Sequence, residues 1–178
     1  MNYRYIGDFN TDSIVAKLKD ITQEDWKDFN FRADQEKVHR QTLTIPLFYY
    51  FYAGTNQERL ITTDEKWSVL FTDELNRLKD IGANTYQKGG LIRCLLVKLE
   101  AGGRIPLHID TWINPSANSI HRVHIPVITN DDVIFSVGGE LKNMKKGECW
   151  EINNLEEKHG VNNYSSTDRV HLIFDWET

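Results

Sequence analysis

From Gly89-Gly90 onward, turn-forming residues recur at short and nearly even intervals: Gly102-Gly103, Asn114-Pro115, Asn130-Asp131, Gly138-Gly139 and Gly147. Such residues punctuate a chain because they favour turn dihedrals or cannot continue a hydrogen-bonded ladder. The spacing predicts strands near 91–100, 104–110, 119–129, 132–138, 141–145, 148–153, 158–163 and 169–176. Eight strands in roughly 85 residues, with helices gathered before them, suit a sandwich or barrel. The expected fold is mainly β with N-terminal helices: a double-stranded β-helix, or cupin-like jelly roll.

Residues 1–88 read differently, as a helical and irregular support for a core at 89–178, the whole forming one domain over 1–178. Asn10 to Ser13 offer caps for a short helix that carries Ile14, Val15, Leu18 and Ile21 on one side. Thr22 to Asp25 open a further turn leading to Trp26. The β-branched and aromatic run 42–52 reads as a strand, edge or bent because of Pro46. A long helix is expected over 63–81, opened by a Thr62/Glu65 capping box and closed by Gly82. Its Trp67, Leu70, Phe71, Leu75, Leu78 and Ile81 recur at helical spacing, which marks a core-facing stripe.

Charge and composition narrow the partners. A net charge of -5 and a pI near 5.7 exclude a general phosphate-backbone binder. No segment approaches the roughly 20 apolar residues of a membrane span. The start of the chain lacks the basic and apolar regions of a signal peptide, so a cytoplasmic protein is expected. Cys94 and Cys149 have no metal-site spacing and read as buried hydrophobes in a reducing compartment. One bias remains: of six His, five fall between positions 108 and 171.

His108-Ile109-Asp110 places an imidazole and a carboxylate at i and i+2, on the same face of a strand. With 14 Asp and 6 His in the chain, roughly half an H-x-D is expected by chance, so the context matters. The motif ends a strand, follows Ala101-Gly102-Gly103, and precedes a polar loop at 111–119, where pocket mouths are built. His159, from a distant strand, is the best third ligand. Two His and one carboxylate make the facial set of non-haem Fe(II) oxygenases and leave coordination positions open. Arg169 opens an otherwise apolar strand and needs an anion. The distal carboxylate of a keto acid would serve; so would Asp175, Asp168 or another acid. Arg122 and His124 share a strand face and form a second candidate anion site. His121 and His171 have no assigned role, and His39 is expected at the surface.

Taken in order, these residues resemble the aspartyl/asparaginyl β-hydroxylase family of 2-oxoglutarate- and Fe(II)-dependent dioxygenases, which includes free-proline cis-hydroxylases. The matching text is Ile105-Pro106-Leu107-His108-Ile109-Asp110, Arg122-Val123-His124-Ile125-Pro126-Val127, Gly147-Glu148-Cys149-Trp150-Glu151-Ile152-Asn153, His159-Gly160-Val161-Asn162-Asn163 and Arg169-Val170-His171-Leu172-Ile173-Phe174-Asp175. The resemblance implies iron ligands at His108, Asp110 and His159. It implies cosubstrate contacts at Arg169, Arg122 and His124, and it matches Asn163 to a recurrent Asn. Asp110 resembles the free-amino-acid branch rather than the animal protein hydroxylases, and its carboxylate argues against halogenation. Trp112 and Asn114 in the loop and Arg104 nearby are candidate substrate contacts. The implied activity is hydroxylation of an unactivated C–H of a small amino acid or peptidyl residue, with O2 consumed and succinate and CO2 formed. A keto-acid-independent cupin-type metalloenzyme and a non-catalytic ligand-binding jelly roll are the alternatives.

Overall fold

The computed structural model describes residues 1–27, 37–53, 58–61, 65–110 and 119–178. Three strands precede Gly89: β1 (Tyr3–Asp8), β2 (Thr42–Ala53) and β3 (Glu58–Ile61). The eight anticipated strands follow: β4 (Gly90–Leu99), β5 (Arg104–His108), β6 (Ile120–Ile128), β7 (Val133–Val137), β8 (Glu140–Lys142), β9 (Glu148–Ile152), β10 (His159–Asn163) and β11 (Arg169–Glu177). They form two antiparallel sheets, ordered β1-β9-β6-β11-β4-β2-β3 and β5-β10-β7-β8. Apart from the β7–β8 hairpin, each step along the chain from β4 to β11 crosses from one sheet to the other. That alternation is a double-stranded β-helix.

The period of two along each strand divides the large sheet into two unlike faces. Val123, Ile125 and Val127 of β6, with Leu172, Phe174 and Trp176 of β11, join one apolar cluster with the helices. Each fully buried Leu or Phe there contributes about 1.5–3 kcal/mol relative to exposure. The alternate residues (Arg122 and His124 of β6; Arg169, His171 and Asp175 of β11) are also buried, but they are polar and face the small sheet. This buried polar face between the sheets positions the site.

The helices on the outer face are α1 (Asp12–Leu18), α2 (Gln23–Lys27), α3 (Glu65–Leu70) and α4 (Thr72–Tyr86). Ahead of α2, Thr22 Oγ1 accepts the Asp25 N–H at 3.2 Å and the Asp25 carboxylate accepts the Thr22 N–H at 2.8 Å, a reciprocal cap. The helix expected over 63–81 is two helices. Phe71, fully buried, breaks the run with φ −106° and ψ 21°, while Thr72 Oγ1 donates back to the carbonyls of Ser68 and Val69. The break carries Leu70 out of the stripe to 40% exposure. Thr62 lies outside the described residues. Gly82 does not end the helix, because α4 continues to Tyr86 and Gln87 takes the left-handed position at φ 62°. Gly82 is required for contact instead: a Cβ there would lie 2.1 Å from the Trp176 ring.

The reading of residues 1–88 as helical and irregular missed β1 and β3. These strands extend the large sheet, β1 outside β9 and the β2–β3 pair outside β4. Pro46 lies at a register shift in the β2–β4 pairing, in a stretch of β2 that β3 does not reach. A residue without an N–H costs no ladder bond there. No helix among the described residues is long and apolar enough to cross a membrane.

Candidate metal and anion site

β5 and β10 are antiparallel neighbours, and His108 stands directly opposite His159. Their ring centroids are 4.2 Å apart. Gly160 allows this approach, since a Cβ there would meet the Ile105 carbonyl at 2.7 Å. His108 Nδ1 lies 2.8 Å from the Pro106 carbonyl, which can only accept, so Nδ1 donates there and Nε2 is the nitrogen turned toward Asp110. Nε2 of His108 and Nε2 of His159 lie 3.3 and 3.8 Å from Asp110 Oδ1. One ligand atom from each of the three residues falls within 4.8 Å of the others. Burial, with the proximity of the His108 ring, lowers His159 to about 4, so its imidazole is neutral at pH 7 and able to bind a metal.

Asp110 Oδ2 points the other way. It accepts from Arg122 Nη1 and, at 2.8 Å, from Asn154 Nδ2. Arg122 also donates to both oxygens of Asp175, at 2.9 and 3.2 Å, and the same carboxylate accepts from Arg93 Nε at 2.6 Å. Asp175 is fully buried. Two guanidiniums therefore hold it, and it is not the partner of Arg169. Nor is Asp168, which is half-exposed and accepts the Ala101 N–H while lying 3.9 Å from Lys98.

Arg169 is 1% exposed, and its Nε, Nη1 and Nη2 have no hydrogen-bond partner among the described residues. Its guanidinium rests over the Phe135 ring at 5.0 Å. Burial lowers it to about 9, still a cation at neutral pH. His171, on the same strand face, is fully buried, and neither ring nitrogen has a partner among the described residues. It stacks on Phe135 at 5.3 Å. Burial and the Arg169 charge hold it neutral, far below the usual histidine range.

A cavity partly open to solvent runs over this region. His108, His159, Arg122, His124 and Arg93 line it, with Leu95, Val97, Ile105, Val161 and Ile173 as apolar wall. Phe135 also lines it, with Arg169 and His171 packed against that ring. His39, expected at the surface, is instead 4% exposed, lines the cavity and meets His108 edge-on at 5.5 Å. Its isolation in the sequence concealed a 3-10 turn (Lys37–His39) that packs beside β5.

The weaker candidates separate from this group. Arg104 is exposed and does not line the cavity. Asn163 is buried, but its amide donates to the carbonyls of Glu100 and Thr167 at 3.0 and 2.8 Å, which ties down the β10–β11 turn. Trp112 and Asn114 lie outside the described residues. His121, on the face opposite Arg122, pairs with Glu151 at 2.7 Å under a stacked Tyr86 ring. Asn154 had not been assigned to the site, and Asp175 had been offered only as a partner for Arg169. Asn154 carried no sequence signal beyond its place shortly before His159. Cys94 and Cys149 are buried free thiols, both raised by burial, Cys149 to about 12, and are inert.

Fold and site together define a double-stranded β-helix protein with a His/Asp/His cluster at the mouth of a cationic pocket between its sheets. The chain belongs to the aspartyl/asparaginyl β-hydroxylase family, whose family model matches residues 8–178. No curated protein matches the sequence significantly. Among solved structures, the fold is similar to an oxidoreductase of the 2OG-Fe(II) oxygenase family from Burkholderia pseudomallei (TM-score 0.58, 15% identity, 76% of this chain and 66% of that one). It is similar to AviO1 from Streptomyces viridochromogenes Tue57 (0.57, 13% identity, 99% and 90%). It is also similar to a Pseudomonas putida prolyl-4-hydroxylase (0.55, 11% identity, 99% and 91%).

Proposed function

We propose that the protein is a 2-oxoglutarate- and Fe(II)-dependent dioxygenase that hydroxylates an unactivated C–H of a small amino acid or a peptidyl residue. The observation that carries this reading is Arg169, a buried cation whose three nitrogens have no partner among the described residues. Such a charge is costly until an anion meets it. A planar guanidinium suits a carboxylate in particular.

The donor set fits the metal. Two imidazoles and one carboxylate, brought together by neighbouring strands, suit Fe(II), and only three protein ligands leave room for other groups. When bound, iron and 2-oxoglutarate supply the oxidising power: O2 is consumed, 2-oxoglutarate becomes succinate and CO2, and C–H becomes C–OH. The chain binds and orients. His108, Asp110 and His159 hold the metal. Arg169 takes the far carboxylate of the keto acid, with His171 beside it as a neutral hydrogen-bonding neighbour. On β6, Arg122 lies at the Asp110 end of the pocket and His124 two residues along toward Arg169. The apolar wall of Leu95, Val97, Ile105, Val161 and Ile173 keeps water from the reacting atoms. The inert thiols agree with the cytoplasmic placement taken from the sequence, and residues 1–178 are read as one unit.

The test is a turnover screen of succinate release against the twenty amino acids and a peptide library, with Fe(II), ascorbate and 2-oxoglutarate supplied. Asp110→Ala and His159→Ala should each abolish substrate-dependent succinate. Retained turnover in both variants would end the reading. Substrate oxidation without any keto-acid requirement would favour the cupin-type alternative, and binding of neither Fe(II) nor 2-oxoglutarate the non-catalytic one.

A further inference from the structure

Among the described residues, the side-chain hydrogen bonds that Asp110 accepts fall on one oxygen. Its Oδ2 accepts two hydrogen bonds, from Asn154 Nδ2 at 2.8 Å and from Arg122 Nη1. Its Oδ1 faces Nε2 of both His108 and His159. Asn154 holds Asp110 a second time through the main chain, where the Asp110 N–H donates to the Asn154 carbonyl at 3.0 Å. Asn154 is 1% exposed and lies in the β9–β10 connection, five residues before His159. Its own N–H donates to Ile152 O at 3.1 Å, which fixes the turn. The Arg122 arm is braced from behind by Asp175, itself held by Arg93.

A carboxylate torsion is broad and roughly two-fold, so an unrestrained Asp110 would exchange its oxygens or present both. Chelation by both oxygens would occupy one more coordination position, and the reaction needs that position for other groups. Two donors on Oδ2 oppose this. An amide is suited to the task, because it donates without adding charge. An acid at 154 would repel Asp110, and a Lys would compete with the metal for it.

Resting on the reading above, we propose that Asn154 is a positioning residue: together with the Asp175-braced Arg122 it occupies Oδ2 of Asp110, so that the metal is bound through Oδ1 alone. Asn154 also joins the two halves of the metal site mechanically, since the short connection that restrains Asp110 leads directly into His159.

The experiment uses the full-length protein and Co(II) as an air-stable probe. Asn154→Leu keeps side-chain shape and the backbone carbonyl while removing the donor. Asn154→Ser is a second variant better suited to a turn if the Leu form does not fold. Circular dichroism and Tm establish the fold of each. A folded variant should bind Co(II) about 10- to 100-fold more weakly by calorimetry, the usual cost of losing a partner of a metal ligand, with an altered visible d–d spectrum. In the wild-type Co(II) complex, infrared spectra of protein with 13C-labelled Asp carboxylates should show the wide stretch splitting of a one-oxygen ligand. Unchanged affinity and spectrum in a folded variant, or a narrow splitting in the wild type, would overturn the role of Asn154 and leave the metal site standing. A wild-type protein that binds no Co(II) would overturn the metal site itself, and this inference with it.

Discussion

At the scale of single residues, the buried polar face of β11 carries the strongest consequences. Arg169 is a cation without a protein partner among the described residues, and such a charge weakens the ligand-free fold. Arg169→Leu should therefore stabilise the apo protein, by about 1–4 kcal/mol, in urea unfolding. The same change should raise the KM for 2-oxoglutarate roughly 10- to 100-fold, the worth of about 1.5–3 kcal/mol of charge-assisted hydrogen bonding. A variant less stable than wild type would show that Arg169 already has a compensating anion. His171 gives a pH dependence whose sign is fixed. Its folded pKa lies well below the ordinary value of 6.5, so the unfolded chain binds the extra proton as pH falls below that value. Its contribution to stability is present above pH 6.5 and is lost on acidification, with a slope of up to about 1.4 kcal/mol per pH unit. His171→Phe should flatten the decline between pH 7.5 and 5.0, and identical slopes in the two proteins would refute the assignment. Residue identities were well legible here: Arg169 stood out as a charge opening an apolar strand, and its need for an anion followed from burial. Legibility failed for His39, because nothing local to His39 says that its 3-10 turn reaches the edge of β5.

At the scale of elements, punctuation was a better guide than propensity. All eight strands after Gly89 were anticipated, most of them bounded by glycine- or asparagine-containing turns, since such breaks act locally. Helix limits were read less well. Gly82 looked like a stop, whereas it is a point of contact between α4 and Trp176. The two readings make opposite predictions. In an exposed helix interior, Gly→Ala gains about 1 kcal/mol. Here the added methyl meets the Trp176 ring, so Gly82→Ala should lower Tm, by about 1–3 kcal/mol of overpacking. The real stop is Gln87, a non-glycine residue in the left-handed region at φ 62°. Gln87→Gly should raise stability by up to about 1 kcal/mol, measured as a shift in Tm. β1 and β3 were missed because short strands that add to a sheet edge need little apolar patterning of their own. Of β1, only Tyr3 is buried.

At the scale of the whole molecule, the N-terminal half completes the jelly roll. Its helices cover the outer face of the large sheet, and its strands lengthen that sheet at both edges. A fragment of residues 89–178 alone would expose Val123, Ile125, Phe174 and Trp176 together with unpaired edges of β4 and β9. It should be recovered as aggregate, not as a monomer, by size-exclusion chromatography. By itself the sequence determined what is local: the number and order of core strands, the residues that share a strand face, and the chemical kinds of side chain available. Those follow from turn chemistry and a period of two, which act over a few residues. Only the tertiary structure decided the partners. Asp110 meets Asn154 across 44 residues, Arg122 meets Asp175 across 53, and Arg93 meets the same carboxylate across 82. Each pairing depends on which strands the crossings between the two sheets bring side by side. Arg169, left by those same pairings without a hydrogen-bond partner among the described residues, acquires its meaning only there, because whether a buried charge is satisfied is a property of everything packed around it.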